Sequence, residues 1–92
     1  MSEEVFRAVV KALDEGERAA LVTIVSTSGS TPQRVGAKML VYEDGRTIGT
    51  IGGGCYENDA SGKAREAIRQ RRPQLARYSL NDELAAESGL IC

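Results

Sequence analysis

The sequence contains no histidine among its 92 residues. This absence excludes the commonest type of zinc site, the Ser-His and Cys-His nucleophile pairs, and a histidine general base. Any chemistry must then use cysteine, lysine, arginine, carboxylates, tyrosine or backbone amides. The composition therefore argues against most classes of enzyme.

Cysteine is also scarce, and the two that occur, Cys55 and Cys92, lie far apart in the sequence. This fits a reducing compartment better than a disulfide scaffold. No apolar run is long enough to span a bilayer, and no signal peptide is recognisable, so we expect a cytoplasmic protein with no membrane partner. The net charge of -1 lacks the basic excess that attracts nucleic acid, so we expect no nucleic-acid partner.

The apolar pattern predicts a small α+β domain. Residues 2–16 carry apolar side chains at three- and four-residue intervals, which is typical of an amphipathic helix. The expected buried stripe of this helix is Val5, Phe6, Val9, Val10 and Leu13. The β-branched run at 19–27 predicts a central strand. Residues 37–43 and 46–52 predict two further strands around the hairpin signal Asp44-Gly45.

A second helix is predicted from about residue 54 to residue 71, ending before Pro73. Its expected buried face is Tyr56, Ala60, Ala64, Ala67 and Ile68. Residues 75–80 then suit a short strand and residues 82–88 a brief helix. We expect a mixed or antiparallel sheet of about four strands with both main helices on one face. The uncovered face, or a free strand edge, would favour a homodimer.

Three consecutive glycines, Gly52–Gly54, join a predicted strand to the second helix and are followed at once by Cys55. Backbone N–H groups at such a helix start favour an anion, and the helix dipole favours the thiolate of a cysteine in the first turn. The alternative is a tight corner with a small buried cysteine. Two phosphate-binding motifs are excluded, because Glu57 replaces the last glycine of the dinucleotide fingerprint and Cys55-Tyr56 replaces the Lys-Ser/Thr of a P-loop.

The loop "TSGSTPQRVGAK" at residues 27–38 is the second unusual stretch. The hydroxyl groups of Ser30 and Thr31 and the cations Arg34 and Lys38 could together hold a phosphate or another multiply charged oxyanion. The alternative is a polar connector in which a proline fixes a turn.

Taken together, "GSTPQRVGAKMLV", "GTIGGGCYE" and "GLIC" resemble the amino-terminal domain of the xanthine dehydrogenase accessory (XdhC/CoxI) proteins. The resemblance implies that residues 1–92 form one such domain, without the Rossmann-like domain that usually follows. It also implies a non-enzymatic chaperone that binds the molybdenum cofactor (molybdopterin) as cargo. Such a protein assists sulfuration of the cofactor and its insertion into a molybdenum hydroxylase of the xanthine or carbon monoxide dehydrogenase type. A cysteine desulfurase would be a further partner.

From the chemistry of the residues, taken with this resemblance, we hypothesise a set of cofactor-contacting residues, of which Cys92 matches a cysteine-glycine motif of the family. These are Ser30, Thr31, Arg34, Lys38, Gly52, Gly53, Gly54, Cys55, Glu57 and Cys92. Cys55 and Cys92 would contact the metal, since thiolates suit a centre with soft sulfur ligands. Two other functions stay open. One is a self-associating adaptor domain that docks on an enzyme without binding cofactor, and the other is an enzyme with Cys55 as nucleophile, which lacks a histidine to accept the proton.

Overall fold

The computed structural model describes residues 3–27 and 34–78, apart from the side chain of Cys55. Five elements follow one another along this part of the chain. They are α1 (Glu3–Glu15), β1 (Ala19–Thr23), β2 (Lys38–Tyr42), β3 (Thr47–Gly49) and α2 (Cys55–Gln70). The predicted α+β class is confirmed, as are both main helices.

The strands form an antiparallel sheet in the order β1-β2-β3, so that β2 lies at its centre. The prediction that residues 19–27 form a central strand is therefore wrong for the sheet of the described residues, because β1 covers only 19–23 and pairs there with β2 alone. Leu40 of β2 is opposite Leu21 of β1 and Ile48 of β3. The predicted hairpin at Asp44-Gly45 joins β2 to β3, and Gly45 has the positive φ, 97°, that such a turn requires. The sheet of the described residues has three strands, whereas about four were predicted.

The prediction that both helices pack on one face of the sheet is wrong, because they lie on opposite faces. Met39 and Val41 are buried in one apolar cluster with α2 residues. Leu40 and Tyr42 are buried in a second cluster with residues of α1. The physical reason is that successive side chains of a strand point to opposite faces, so the apolar run of β2 needs cover on both sides.

Only part of the predicted apolar stripe of α1 is buried. Val5 is fully buried, and the alanines of α1 allow the helix to approach the sheet closely. Phe6, Val10 and Leu13 remain 57%, 46% and 76% exposed. The stripe is wider than the area of α1 that a three-stranded sheet can contact, so one flank of the helix is left uncovered.

The second helix matches its prediction closely. Ala60, Ala64 and Ile68 are buried as expected, and the helix ends before Arg71, which adopts a left-handed conformation with φ 55°. Residues 75–78 of the predicted fourth strand have no regular secondary structure, and residues 79–80 lie outside the described part of the chain, as does the helix predicted over 82–88. Among the described helices, none has the length and apolarity that crossing a membrane requires.

Candidate functional site

The glycine corner, residues 50–54, connects the end of β3 to the start of α2. The glycines that enter and form it have φ values between 78° and 124°, a region that other residues rarely adopt. They are Gly49, Gly52, Gly53 and Gly54. A side chain at Gly49 would place its Cβ 2.4 Å from Val5 Cγ2 and 2.8 Å from the backbone oxygen of Lys38. Glycine is therefore required here both by backbone conformation and by the close approach of α1.

The side chain of Glu57 fills the inside of the glycine corner. Its Oε2 accepts hydrogen bonds from the hydroxyl of Thr50 at 2.6 Å, from Ile51 N–H at 3.0 Å and from Gly53 N–H at 2.7 Å. The hydroxyl oxygen of Thr50 in turn accepts a hydrogen bond from Gly52 N–H at 3.0 Å. The corner thus directs three donors at one point, and in this structure a carboxylate oxygen of the chain itself occupies that point.

This environment stabilises the ionised form of Glu57. Partial burial by itself would raise the pKa of the carboxyl group. The hydrogen bonds from Thr50, Gly53 and Ile51 outweigh that effect and leave the pKa below its usual value. The corner is therefore a place where a negative oxygen is bound well.

Two residues that support the corner were not identified from the sequence. Thr50 both donates to Glu57 and accepts from Gly52. The hydroxyl of Tyr56 donates to the backbone oxygen of Ile51 at 2.5 Å and so ties α2 to the corner. The sequence did contain a signal for the contact of Glu57 with the corner. Glu57 is the third residue of α2, a position from which a glutamate often reaches back to a backbone N–H before the helix.

The sheet brings part of the 27–38 loop to the same end as the glycine corner. Met39 pairs with Gly49, so that Lys38, the first residue of β2, begins where the corner starts. Arg34 is exposed, and its backbone oxygen accepts a hydrogen bond from Ala37 N–H at 3.1 Å, in the turn that leads into β2. The two cations predicted to contact an anion are therefore at the corner end of the sheet.

The structure describes the other predicted site residues only in part. Cys55 is the first residue of α2, directly after the corner, and its side chain is outside what the structure describes. Ser30, Thr31 and Cys92 lie outside the described residues. Within residues 3–27 and 34–78, no three acidic or cysteine side chains form a group that could hold a metal ion. The predicted roles of Cys55 and Cys92 as metal ligands thus stay predictions.

A second polar cluster lies on α2 close to the corner. The hydroxyl of Tyr78 donates to Asp59 Oδ2 at 2.5 Å, and Lys63 Nζ lies 3.3 Å from the same oxygen. Burial and the neighbouring Asp59 carboxylate raise the pKa of Tyr78 well above its usual value. The ring of Tyr78 also packs near that of Tyr56, with centroids 6.2 Å apart. These contacts hold the chain beyond α2 against the amino-terminal half of that helix.

Most of the chain matches one known protein family. The model of the XdhC and CoxI family matches residues 12–79, which include the sheet, the glycine corner and α2. The chain belongs to the XdhC and CoxI family. The resemblance noted from three short motifs is thereby confirmed over most of the chain.

Individual relatives agree with this assignment. Over 74 residues, 80% of this chain and 23% of the relative, the chain is 40% identical to the molybdenum cofactor insertion chaperone PaoD of Escherichia coli. It is 37% identical over 71 residues, 77% of this chain and 22% of the relative, to a probable xanthine dehydrogenase subunit from Bacillus subtilis. A crystal structure of a xanthine dehydrogenase from Bacillus halodurans superposes with a TM-score of 0.65 at 30% identity, covering 96% of this chain and 25% of that one. The chain thus spans about a quarter of the length of these proteins.

Proposed function

We propose that this XdhC and CoxI family member is a molybdenum-cofactor-binding chaperone that has no catalytic turnover of its own. In this role it assists sulfuration of the cofactor and its insertion into a molybdenum hydroxylase. The similarity to a protein named as a molybdenum cofactor insertion chaperone carries the proposal. The relatives named for xanthine dehydrogenase support a hydroxylase of the xanthine or carbon monoxide dehydrogenase type as the receiving enzyme.

The chemistry of the glycine corner suits the phosphate of this cargo. Three donors converge on a single carboxylate oxygen of Glu57 at 2.6 to 3.0 Å, which is the range expected for charge-assisted hydrogen bonds to an oxyanion. A phosphate oxygen at that point would have to displace the Glu57 side chain. Released from the corner, the carboxylate would be free to accept from an N–H edge of the pterin. Gly53 N–H would then donate to the cargo instead of to Glu57.

Cations and thiols complete the proposed site. Lys38 and Arg34 lie at the corner end of the sheet, where they would balance phosphate charge. Cys55 follows the corner at the first position of α2. With Cys92 it would supply sulfur ligands of the kind that molybdenum chemistry favours. Ser30 and Thr31 would add hydroxyl donors from the loop before β2.

Retention of molybdenum cofactor by the chain in an ultrafiltration assay tests the proposal. We expect the unmodified chain to retain cofactor at micromolar concentrations, and the double variant Cys55→Ser, Cys92→Ser to retain at least tenfold less. Gly62→Ala is the matched control, because Gly62 is exposed in the middle of α2 with open space around it. Absence of retention by the unmodified chain would refute the function, whereas undiminished retention by the double variant would refute only the thiol assignment.

Partners follow from the same function. A cysteine desulfurase would supply the sulfur that the cofactor receives, and the protein would act in the cytoplasm, where the hydroxylase is assembled. Pull-down of a purified molybdenum hydroxylase and of a cysteine desulfurase by the chain would test these partners separately. We also propose that the chain acts as a homodimer.

One observation favours a second candidate function, an adaptor domain that docks on an enzyme without binding cofactor. The donors of Thr50, Ile51 and Gly53 are already used by Glu57. A corner closed in this way holds β3 and α2 together without any ligand. Binding of the hydroxylase by a chain that retains no cofactor would establish the adaptor function instead.

A further inference from the structure

Strand β1 carries backbone groups along its outer edge that pair with no other strand of the described residues. It is the outermost strand in the order β1-β2-β3 of the described residues. Just beyond it, Ile24 N–H donates to the oxygen of Ala37 at 3.0 Å, which continues the β1–β2 register. Hydrogen-bonded and non-hydrogen-bonded positions alternate along an antiparallel pair. The even-numbered residues therefore bond to β2, and the N–H and C=O groups of Ala19, Leu21 and Thr23 point away from β2, to the outer edge of the sheet that the described residues form.

This edge lacks the features that normally prevent strands from pairing. Residues 19–25 read "AALVTIV" and contain no charged residue, no proline and no glycine. The opposite edge strand, β3, has only three residues, ends in Gly49 and is preceded by Arg46. Natural edge strands are usually protected by charge, proline, bulges or short length. By this comparison β3 is protected and β1 is not.

Apolar side chains that stay exposed among the described residues lie on one face of the same sheet. Leu21 is 45% exposed and is opposite Leu40, so it is on the face of the sheet that α1 covers. The exposed flank of α1, formed by Phe6, Val10 and Leu13, lies on that face too. We call these four residues together with the edge of β1 the β1 surface.

We propose that the β1 surface pairs with the β1 surface of a second copy of the chain. The two β1 strands would run antiparallel about a twofold axis at Leu21, which would give one six-stranded sheet. Leu21 would then lie opposite its own copy, and Ala19 opposite Thr23. The outward groups of these residues would satisfy one another, as an antiparallel ladder requires.

A second copy fits this surface for two reasons. The strand is self-complementary, because a twofold axis at its central residue pairs every outward donor with an outward acceptor. Pairing also brings no like charges together, since residues 19–25 are all uncharged. Five paired residues and four apolar side chains make a small interface, so we expect a dissociation constant on the order of 10 µM. The pairing does not depend on the proposed cofactor function.

Sedimentation velocity of the 92-residue chain from about 1 to 200 µM tests the association. We expect a monomer–dimer equilibrium that Leu21→Lys weakens at least tenfold, because a charge on an edge strand opposes pairing. Leu75→Lys is the matched control, as Leu75 is 77% exposed and lies outside the β1 surface. A monomer at every concentration, or equal weakening by both variants, would overturn the proposal.

Cross-linking tests the register. In a Cys55→Ser, Cys92→Ser background, Leu21→Cys places two thiols at a hydrogen-bonded pair, with Cα atoms about 5.5 Å apart and within disulfide range. Val25→Cys places its two thiols about 27 Å apart, at opposite ends of the paired strands. We expect copper phenanthroline, as oxidant, to cross-link the first variant and not the second. Cross-linking at residue 25 alone, or equally at both positions, would overturn the pairing about Leu21.

Discussion

Glu57→Ala removes the single group on which three donors of the glycine corner converge. Hydrogen bonds to a charged acceptor contribute about 1.5 to 3 kcal/mol each, but water would reach some of the freed donors in the variant. We therefore expect the free energy of unfolding to fall by about 2 to 3 kcal/mol. For a domain of this size that lowers Tm by roughly 10 to 20 °C, which circular dichroism on heating and in urea would measure.

The pH dependence identifies the carboxylate as the cause. Because the pKa of Glu57 is lower in the folded state than in the unfolded state, its contribution is fully present above the unfolded value, about 4.3. The contribution is lost as the pH falls through the lower folded pKa. In Glu57→Gln, the neutral amide oxygen accepts more weakly, so we expect about half of the loss at pH 7. The difference in stability between the unmodified chain and Glu57→Gln should then narrow as the pH falls below about 5.

The matched control is Glu66→Ala, which removes another carboxylate of the same helix. Within the described part of the chain, Glu66 accepts hydrogen bonds from the side chains of Arg69 and Gln70, and these pairs are exposed. We expect this variant to melt within about 2 °C of the unmodified chain, since exposed ion pairs contribute little. If the Tm of Glu57→Ala changes as little as that of this control, Glu57 does not hold the corner and our reasoning is refuted.

Three further outcomes are expected. Gly49→Ala should lower the free energy of unfolding by at least about 2 kcal/mol in urea denaturation, because its Cβ would meet Val5 at 2.4 Å and its φ is positive; a milder loss would mean that α1 can shift. Gly62→Ala should instead stabilise the chain by about 0.5 to 1 kcal/mol, since alanine favours a helix interior. Tyr78→Phe should cost about 1 kcal/mol near pH 7, through the lost bond to Asp59. The pKa of Tyr78 is raised by folding, so this stabilisation is present below about pH 10 and is lost above it. In a pH titration followed by phenolate absorbance, the variant should lack the tyrosine that ionises last.

The features predicted from the sequence were those with local causes. The turn at Asp44-Gly45 follows from the need for a positive φ at one residue, and glycine supplies it. The bounds of α2 follow from the glycines before it and from Pro73 after it. Such signals need no knowledge of what packs against them.

The arrangement of the helices around the sheet was beyond those local signals. An apolar stripe shows which side of a helix is buried, but not which face of a sheet it meets. The burial of Leu40 and Tyr42 on one face and of Met39 on the other could have been anticipated from the uninterrupted apolar run of β2. The number of buried residues in the stripe of α1 was overestimated for a related reason. The apolar pattern does not distinguish a residue that contacts the core from one on an exposed flank.

The sequence predicted where the candidate site lies but not the hydrogen bonds that form it. The glycines indicated where a strand turns into a helix, and that corner is present. The three-way contact of Glu57 depends on the fold of the corner, which places Thr50, Ile51 and Gly53 around one oxygen. The position of Glu57 at the third residue of α2 indicates one backbone contact, but no residue spacing alone indicates the convergence of three donors.

The seating of Val5 against Gly49 has a practical consequence for anyone who shortens this protein. The family match begins at residue 12, which invites truncation at that point. Such a fragment would lose most of α1 and, with Val5, the side chain that lies over the entrance to the glycine corner. Leu40 and Tyr42 would then be exposed to solvent, so the fragment should be prone to aggregation. An amino-terminal truncation should therefore be made before residue 3.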